Sequence, residues 1–576
     1  MPENRQNNPA EIAAQRALEE MYECIRSRQN FRLEAGAGAG KTYSLVKALR
    51  LIIDEQGFKL LRNCRQVACI TYTNVATNEI ISRTDGHPVV HASTIHAFCW
   101  SLIKSFQPQL REKVSNIEAW SGKLEEAGGV GTRRIEYDLG YRLINETHLL
   151  IHHDDVLSLT VALMELPKFR QLLSARFPIL FIDEYQDTNE ELANSIIKHF
   201  IGPRVGPLIG LFGDSWQKIY RDGRGFIENE HLRAIGKGAN FRSVKEIVGV
   251  LNSIRPDLPQ MVKDPEAIGT VAVYHSNEWV GQRRGGNHWA GDLPAEVAHY
   301  YLEVLCSRLS DEGWDFSPPK TKILMLTHNV LAAEQDYAQI ANAFRYTDSY
   351  IRKEDPYISF LVDTVEPACA ALQNGRYGEM FSVIGTRSNC IRNLEEKRTW
   401  ARDMHLLIEL RKTGTIGEVI DLLKETHRPR LPDAVQRFET ELRNASPEVI
   451  EESLQLSQAS KLREIPYSEL ISLALFVNDH TPFSTKHGVK GAEFENVLVV
   501  LGRGWNHYNW NQFLEWFPNR FPTNKADSYE RNRNLFYVVC SRPKKRLALL
   551  FTQELSREAL NVLRSWFGEK CVNPLT

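Results

Sequence analysis

The sequence predicts an α/β protein built on two parallel-sheet domains, each carrying a mainly helical insertion. Three observations carry that expectation. Short apolar runs rich in β-branched residues alternate with helix-like stretches, the pattern of strands buried on both faces. Most runs end in small or acidic residues, at the strand ends where such sheets hold ligands. The runs also fall into two sets, and a long helix-rich segment interrupts each set.

Residues 10–26 read as a helix, with Ile12, Ala13, Ala17, Leu18 and Met21 spaced for one apolar face. Residues 30–34 read as a strand, 35–42 as a loop of small residues and 44–53 as a helix. Further strands are expected at 66–71 (QVACIT), 178–183 (PILFID) and 208–213 (LIGLFG). The second set comprises 322–327 (KILMLT), 496–501 (NVLVVL) and 546–552 (RLALLFT). Residues 277–291, with two tryptophans and an arginine pair, read as a loop. The expected organisation is a first domain over 1–100 and 177–241 interrupted by an insertion at 101–176. A second domain over 242–345 and 478–576 is interrupted by an insertion at 346–477.

Composition bounds the function. The 576 residues are 43% hydrophobic and 25% charged, which fits several packed cores. Lys and Arg number 70 against 72 Asp and Glu, a net charge of −2, so any nucleic acid must meet a local groove of cations. Nine cysteines, an odd number with no CxxC pair, argue against a disulfide framework, a zinc ribbon or an iron–sulfur cluster and fit a cytoplasmic location. The polar opening has no signal-peptide core, and no apolar run is long enough to cross a membrane.

Residues 35–42 read AGAGAGKT, a P-loop in which Ala35 replaces the first glycine. Gly36, Gly38 and Gly40 let backbone N–H groups turn toward phosphate oxygens, and the helix that follows adds its positive end. Lys41 is expected to reach the β- and γ-phosphates, and Thr42 to ligate Mg²⁺. Residues 180–188 (LFIDEYQDT) deliver two carboxylates to a strand tip. Asp183 is expected to hold Mg²⁺, and Glu184 to orient or deprotonate the attacking water. Alone, that segment reads as well as a solvated helix start; a P-loop upstream favours the catalytic reading.

With further blocks in the same order, the chain resembles the UvrD/Rep/PcrA group of superfamily 1 DNA helicases from about Gln15 to Arg546. The blocks are TYTNVATNEI at 71–80, TIH at 94–96, GDSWQKIY at 213–220, NFRS at 240–243, TKHGVKGAEF at 485–494 and NLFYVVCSR at 534–542. The resemblance implies two RecA-like motor domains, ATP and Mg²⁺ as cofactors, and 3′→5′ movement on single-stranded or tailed DNA. It places Gln15 as the adenine-reading glutamine, Phe241 as the adenine stack and Glu493 on the ribose. Gln217 would sense the γ-phosphate, while Arg242 and Arg542 would stabilise the transition state. Tyr72, Thr73, Asn74, His96, Tyr220, Arg224, Thr485 and His487 would meet DNA, the tyrosines by stacking. His96 has a second reading as a packed core histidine.

The sequence departs from the family after Tyr220, where RDGRG replaces the usual G-W-R-G and the tryptophan platform is missing; Trp216 lies on the other side of Gln217. The run His152-His153-Asp154-Asp155 suggests a metal site, but a structural role is favoured. The short stretch after Arg542 leaves no space for a fused nuclease domain. This layout resembles the GajB-like helicase subunits of Gabija-type anti-phage defence systems, which implies an OLD-type, GajA-like nuclease as partner. Two functions are thus expected: an ATP-dependent translocase and helicase in defence or repair, or a nucleotide- and DNA-sensing ATPase that regulates a partner nuclease with little unwinding.

Overall fold

The continuous apolar runs read as strands all fall on inner strands of two sheets. A computed structural model of the chain describes residues 8–137, 142–203, 205–218, 223–286, 288–325, 328–385, 391, 393–485, 492–503 and 508–576. These residues divide into two units. The first takes Met1–Ala272, Asn511–Leu547 and Ser556–Val572; the second takes Val273–Trp510, Ala548–Leu555 and Asn573–Thr576.

The first unit is organised on β1 (Phe31–Ala35), β2 (Val67–Thr71), β3 (Val90–Thr94), β7 (Ile179–Asp183), β8 (Leu208–Gly213) and β9 (Arg233–Lys237). Between β3 and β7 come β4 (Arg134–Tyr137), β5 (Leu143–Ile144) and β6 (His148–Ile151). The large sheet has the order β3-β2-β7-β8-β1-β9, and every pairing in it is parallel. Successive side chains point to opposite faces of a strand. Phe31, Cys69, Ile179 and Phe181 accordingly join Leu45, Leu49 and Ile52 in one core layer. Ile70, Leu180, Ile182, Ile209 and Leu211 join Phe98, Leu159 and Leu163 in the other. Each such buried side chain contributes roughly 1.5–3 kcal/mol relative to exposure.

Both edge strands of this sheet went unseen in the sequence, β3 (VHAST) and β9 (RAIGK). An edge strand packs on fewer neighbours, so it tolerates the polar residues and glycine that read as loop. The helix Lys41–Arg62 begins at the P-loop and runs past the expected end at 53. The first insertion is helical but also carries a small sheet, β4-β6-β5. There Asp155 is buried and takes the indole N–H of Trp120 at 3.0 Å, three contacts from Arg142 at 2.7, 2.9 and 3.1 Å, and the His152 N–H at 2.9 Å. Asp155 thus serves as a packing hub, and no metal-binding cluster occurs among the described residues.

The remaining strands are β10 (Ala239–Asn240), β11 (Met261–Val262), β12 (Thr270–His275), β13 (Thr321–Met325), β14 (Phe483–Thr485), β15 (Phe494–Leu501), β16 (Pro543–Phe551) and β17 (Val572–Pro574). The second large sheet has the order β14-β13-β15-β16-β12-β17, and β13 runs parallel to both β14 and β15. The regular elements among the described residues of the second insertion are all helices. Its core gathers Tyr357, Leu361, Leu407, Ile420, Tyr467 and Leu470. The fold is therefore the expected α/β arrangement of two RecA-like sheets with mainly helical insertions. No helix among the described residues is long and apolar enough to cross a membrane.

Candidate nucleotide and DNA site

Sheet order builds the nucleotide site. Strand β8 lies between β1 and β7, so its following loop falls between the P-loop and the acidic strand tip. Gly40 caps the helix Lys41–Arg62 in the left-handed conformation (φ 74°). Gly38 has φ 76°, and a Cβ there would stand 2.8 Å from Asn240 Oδ1 and 2.9 Å from Arg242 Cβ. Only glycine fits that conformation and that approach without strain. Asn240 holds this contact: its amide donates to Ala37 O at 3.2 Å, and its Oδ1 accepts from the Arg242 and Ser243 N–H groups, both at 2.9 Å. The Phe241 N–H in turn donates to Gly38 O at 2.9 Å. The asparagine of the NFRS block thereby fixes the P-loop.

Lys41 Nζ lies 3.5 Å from Glu184 Oε1. Glu184 adopts a left-handed backbone (φ 50°) at the end of β7, and the Gln186 amide holds its Oε2. Asp183 is buried. Burial, reinforced by the Glu184 charge, pushes its carboxyl above the usual range, while Lys41 acts the other way. A divalent cation favours oxygen donors and would hold such a carboxylate ionised, so Asp183 and the Thr42 hydroxyl fit Mg²⁺.

Gln217 is buried on the turn after β8. Its amide donates to Asp214 Oδ2 at 2.8 Å, and its Oε1 accepts from Arg542 Nη2 at 3.1 Å. Arg542 is also fully buried and donates to Val538 O and Ser541 Oγ, both at 3.0 Å. Burial, with the neighbouring Arg242 charge, lowers its pKa, and the Glu184 charge opposes this. Arg242 reaches Ser541 O at 3.0 Å. Gln217, Arg242 and Arg542 thus converge in the unit that holds the P-loop.

Sequence reasoning missed the bracing. Arg255 is buried and pairs with Asp214 at 2.5 Å and Glu34 at 3.1 Å. Glu34 on β1 also accepts from the Ser215 N–H at 2.8 Å and the Tyr185 hydroxyl at 2.6 Å. Tyr537 accepts from the Ala37 N–H at 3.4 Å. Tyr537 stands in the final block, so its position was a usable signal; Arg255 lies in no block and had none. Lys237 was also missed. It is buried, with Nζ 2.8 Å from Ser44 Oγ and 3.2 Å from Gly40 O.

The other named residues are less concentrated. Gln15 is exposed on the helix Pro9–Ser27, its amide bonded to Glu19 at 2.9 Å; that helix packs Ala10 and Ala14 on Ala239, next to Asn240. Phe241 is 37% exposed, open enough for a base to stack. Glu493 is exposed, in the second unit.

On the DNA side, Thr71 pairs with Thr94 at the ends of β2 and β3. The exposed Tyr72, Thr73 and Asn74 and the half-buried His96 therefore leave neighbouring strand tips. Thr73 also caps the helix Asn74–Arg83 by accepting the Ala76 N–H at 3.2 Å. The His96 ring lies 4.7 Å from that of His153, and burial pulls its pKa down to about 4. The His96 imidazole is therefore neutral near pH 7. Arg224 lies 3.4 Å from Glu190. Thr485 ends β14, while Tyr220 and His487 lie outside the described residues. Trp216 is held by the Arg533 guanidinium 4.1 Å over its ring and by Tyr537 at 5.6 Å. Its ring packs within the first unit instead of standing as a base platform.

Comparisons with known proteins agree with this geometry. The AAA domain family matches residues 19–222. The Gabija protein GajB of Bacillus cereus is 24% identical over 96% of this chain and 97% of its own. The ATP-dependent DNA helicase Rep of Buchnera aphidicola is 25% identical, covering 38% of this chain and 40% of that one. The ATP-dependent DNA helicase PcrA of Staphylococcus aureus is 22% identical, covering 49% and 42%. The resemblance to the Rep and PcrA helicases thus covers 38% and 49% of the chain, and the resemblance to GajB nearly the whole of it.

Proposed function

We propose that the chain is a DNA-stimulated ATPase of the UvrD-like helicase kind, moving 3′→5′ along single-stranded or tailed DNA. The observation that carries this is the Lys41–Glu184 approach at 3.5 Å in the same unit as the Arg542–Gln217 bond at 3.1 Å. Lys41 and the loop N–H groups bind the phosphates. Glu184 takes a proton from water, and Gln217, positioned by Asp214, orients that water. Arg242 and Arg542 offer cations to the oxygens where charge gathers. Mg²⁺, held by Thr42 and Asp183, would neutralise phosphate charge. Gln15, Phe241 and Glu493 are assigned to adenosine. Tyr72, Thr73, Asn74, His96, Tyr220, Arg224, Thr485 and His487 are assigned to DNA.

The near full-length likeness to a Gabija protein supports a second reading, in which the same ATPase senses nucleotide and DNA and regulates a partner nuclease. The test is steady-state ATP hydrolysis with and without single-stranded DNA, beside strand displacement on a 3′-tailed duplex, with Lys41→Ala as control. Stimulated hydrolysis with unwinding supports the motor. Stimulation without unwinding favours the sensor, and hydrolysis retained in a folded Lys41→Ala variant removes both.

A further inference from the structure

Lys237 ends β9, paired in register with Ala35 at the mouth of the P-loop. Its side chain is fully buried. Its ammonium donates to Ser44 Oγ and Gly40 O, 5.8 Å from the ring centre of Tyr43 and 6.0 Å from that of Phe241. It forms no ion pair among the described residues, and burial lowers its pKa to about 8. Its setting adds to that cost. Gly40 caps the helix Lys41–Arg62, whose first turn carries partial positive charge and no acidic residue. The charged side chain that follows Gly40, Lys41, is itself a cation, and its acidic neighbour Glu184 comes from β7, on the far side of β1 from β9. A buried cation against the positive end of a helix, without a counter-ion, is unfavourable until an anion arrives.

We propose that Lys237 is a second cationic ligand of the bound nucleoside di- or triphosphate, serving its base and α-phosphate end. This rests on the P-loop reading above. Strand order supplies the direction. Glu184 and Gln217 reach the loop from β7 and β8 on one side of β1, and Lys237 reaches it from β9 on the other. Lys41 and Glu184 then face the phosphoryl group that is cleaved. Lys237, between two aromatic rings, faces the end that is not. Charge and rings together suit a nucleotide whose base stacks while an α-phosphate oxygen takes the ammonium.

The test is equilibrium binding of ADP and of a non-hydrolysable ATP analogue to the full chain, as wild type, Lys237→Met and Lys237→Arg, with the melting temperature of each unliganded protein. Met should weaken both nucleotides alike, by about tenfold or more, the scale of one charge-assisted contact. Arg should keep affinity within a few-fold of wild type. Unliganded Lys237→Met should melt no lower than wild type, because an uncompensated charge is gone. Unchanged affinity in Lys237→Met would overturn the proposal. So would a loss of both affinity and melting temperature in both variants, the signature of a structural lysine. Failure of the wild type to bind either nucleotide would instead refute the P-loop reading itself.

Discussion

Arg542 and Gln217 meet across a 3.1 Å hydrogen bond though 325 residues separate them in sequence, so they should act on catalysis as a pair. Replacing Arg542 with Ala removes a buried guanidinium bonded to Gln217 Oε1, Val538 O and Ser541 Oγ. ATP turnover should fall by about 10³-fold or more, the scale of an arginine finger. Nucleotide binding should persist, because Lys41 and the loop N–H groups supply it. Arg542→Lys should not rescue, since one ammonium cannot reproduce the forked donors that reach Val538 O and Gln217 together. A hydrogen bond to a charged group contributes about 1.5–3 kcal/mol, roughly 10- to 150-fold in rate. The Gln217→Ala/Arg542→Ala double variant should therefore be about 10- to 150-fold more active than the product of the single losses requires. The assay is steady-state hydrolysis at saturating ATP and single-stranded DNA for the four proteins of the cycle. Additivity within about 0.5 kcal/mol would show that the bond does not carry catalytic coupling. Near-normal turnover in Arg542→Ala would remove the residue from the site.

Glu184→Gln should keep nucleotide binding and lose about 10²–10⁴-fold in turnover, because the amide keeps shape but not basicity; lost binding would make Glu184 structural. Asp155→Ala strands the buried Trp120 indole and the Arg142 guanidinium, and should destabilise the first insertion by about 3–5 kcal/mol in chemical denaturation. A change below about 1 kcal/mol would deny Asp155 its role as a hub. Lys237 makes stability depend on pH. Its folded pKa of about 8 lies below the ordinary 10.5, so its charge burdens the unliganded fold fully below pH 8. That burden, about 3 kcal/mol, fades as pH rises from about 8 to 10.5. Its ammonium meets Ser44 Oγ and Gly40 O, with the Tyr43 and Phe241 rings further out, and the nearest charged side chains along the chain, Arg233 and Arg242, are both cations. The stability difference between Lys237→Met and wild type should therefore narrow over that range; a difference constant from pH 7 to 10 would contradict it.

The sequence by itself determined the inner strands of the first large sheet, the P-loop and the acidic strand tip. A strand buried on both faces is mostly apolar, as LIGLFG and ILFID are. A phosphate loop needs its glycines and lysine contiguous, so its chemistry is written locally. Edge strands such as RAIGK are covered less completely and keep polar residues, so they blend with loops. Tertiary structure alone decided the rest. It set Tyr537 against Ala37, 500 residues away, and closed Arg255 on Glu34 and Asp214. It clamped Trp216 between Arg533 and Tyr537, and it buried Lys237 beside the P-loop without a counter-ion. Apart from the place of Tyr537 in the final block, none of these leaves a local pattern. A contact between distant segments depends on strand order in the sheet, which fixes neighbours in space that no spacing along the chain records.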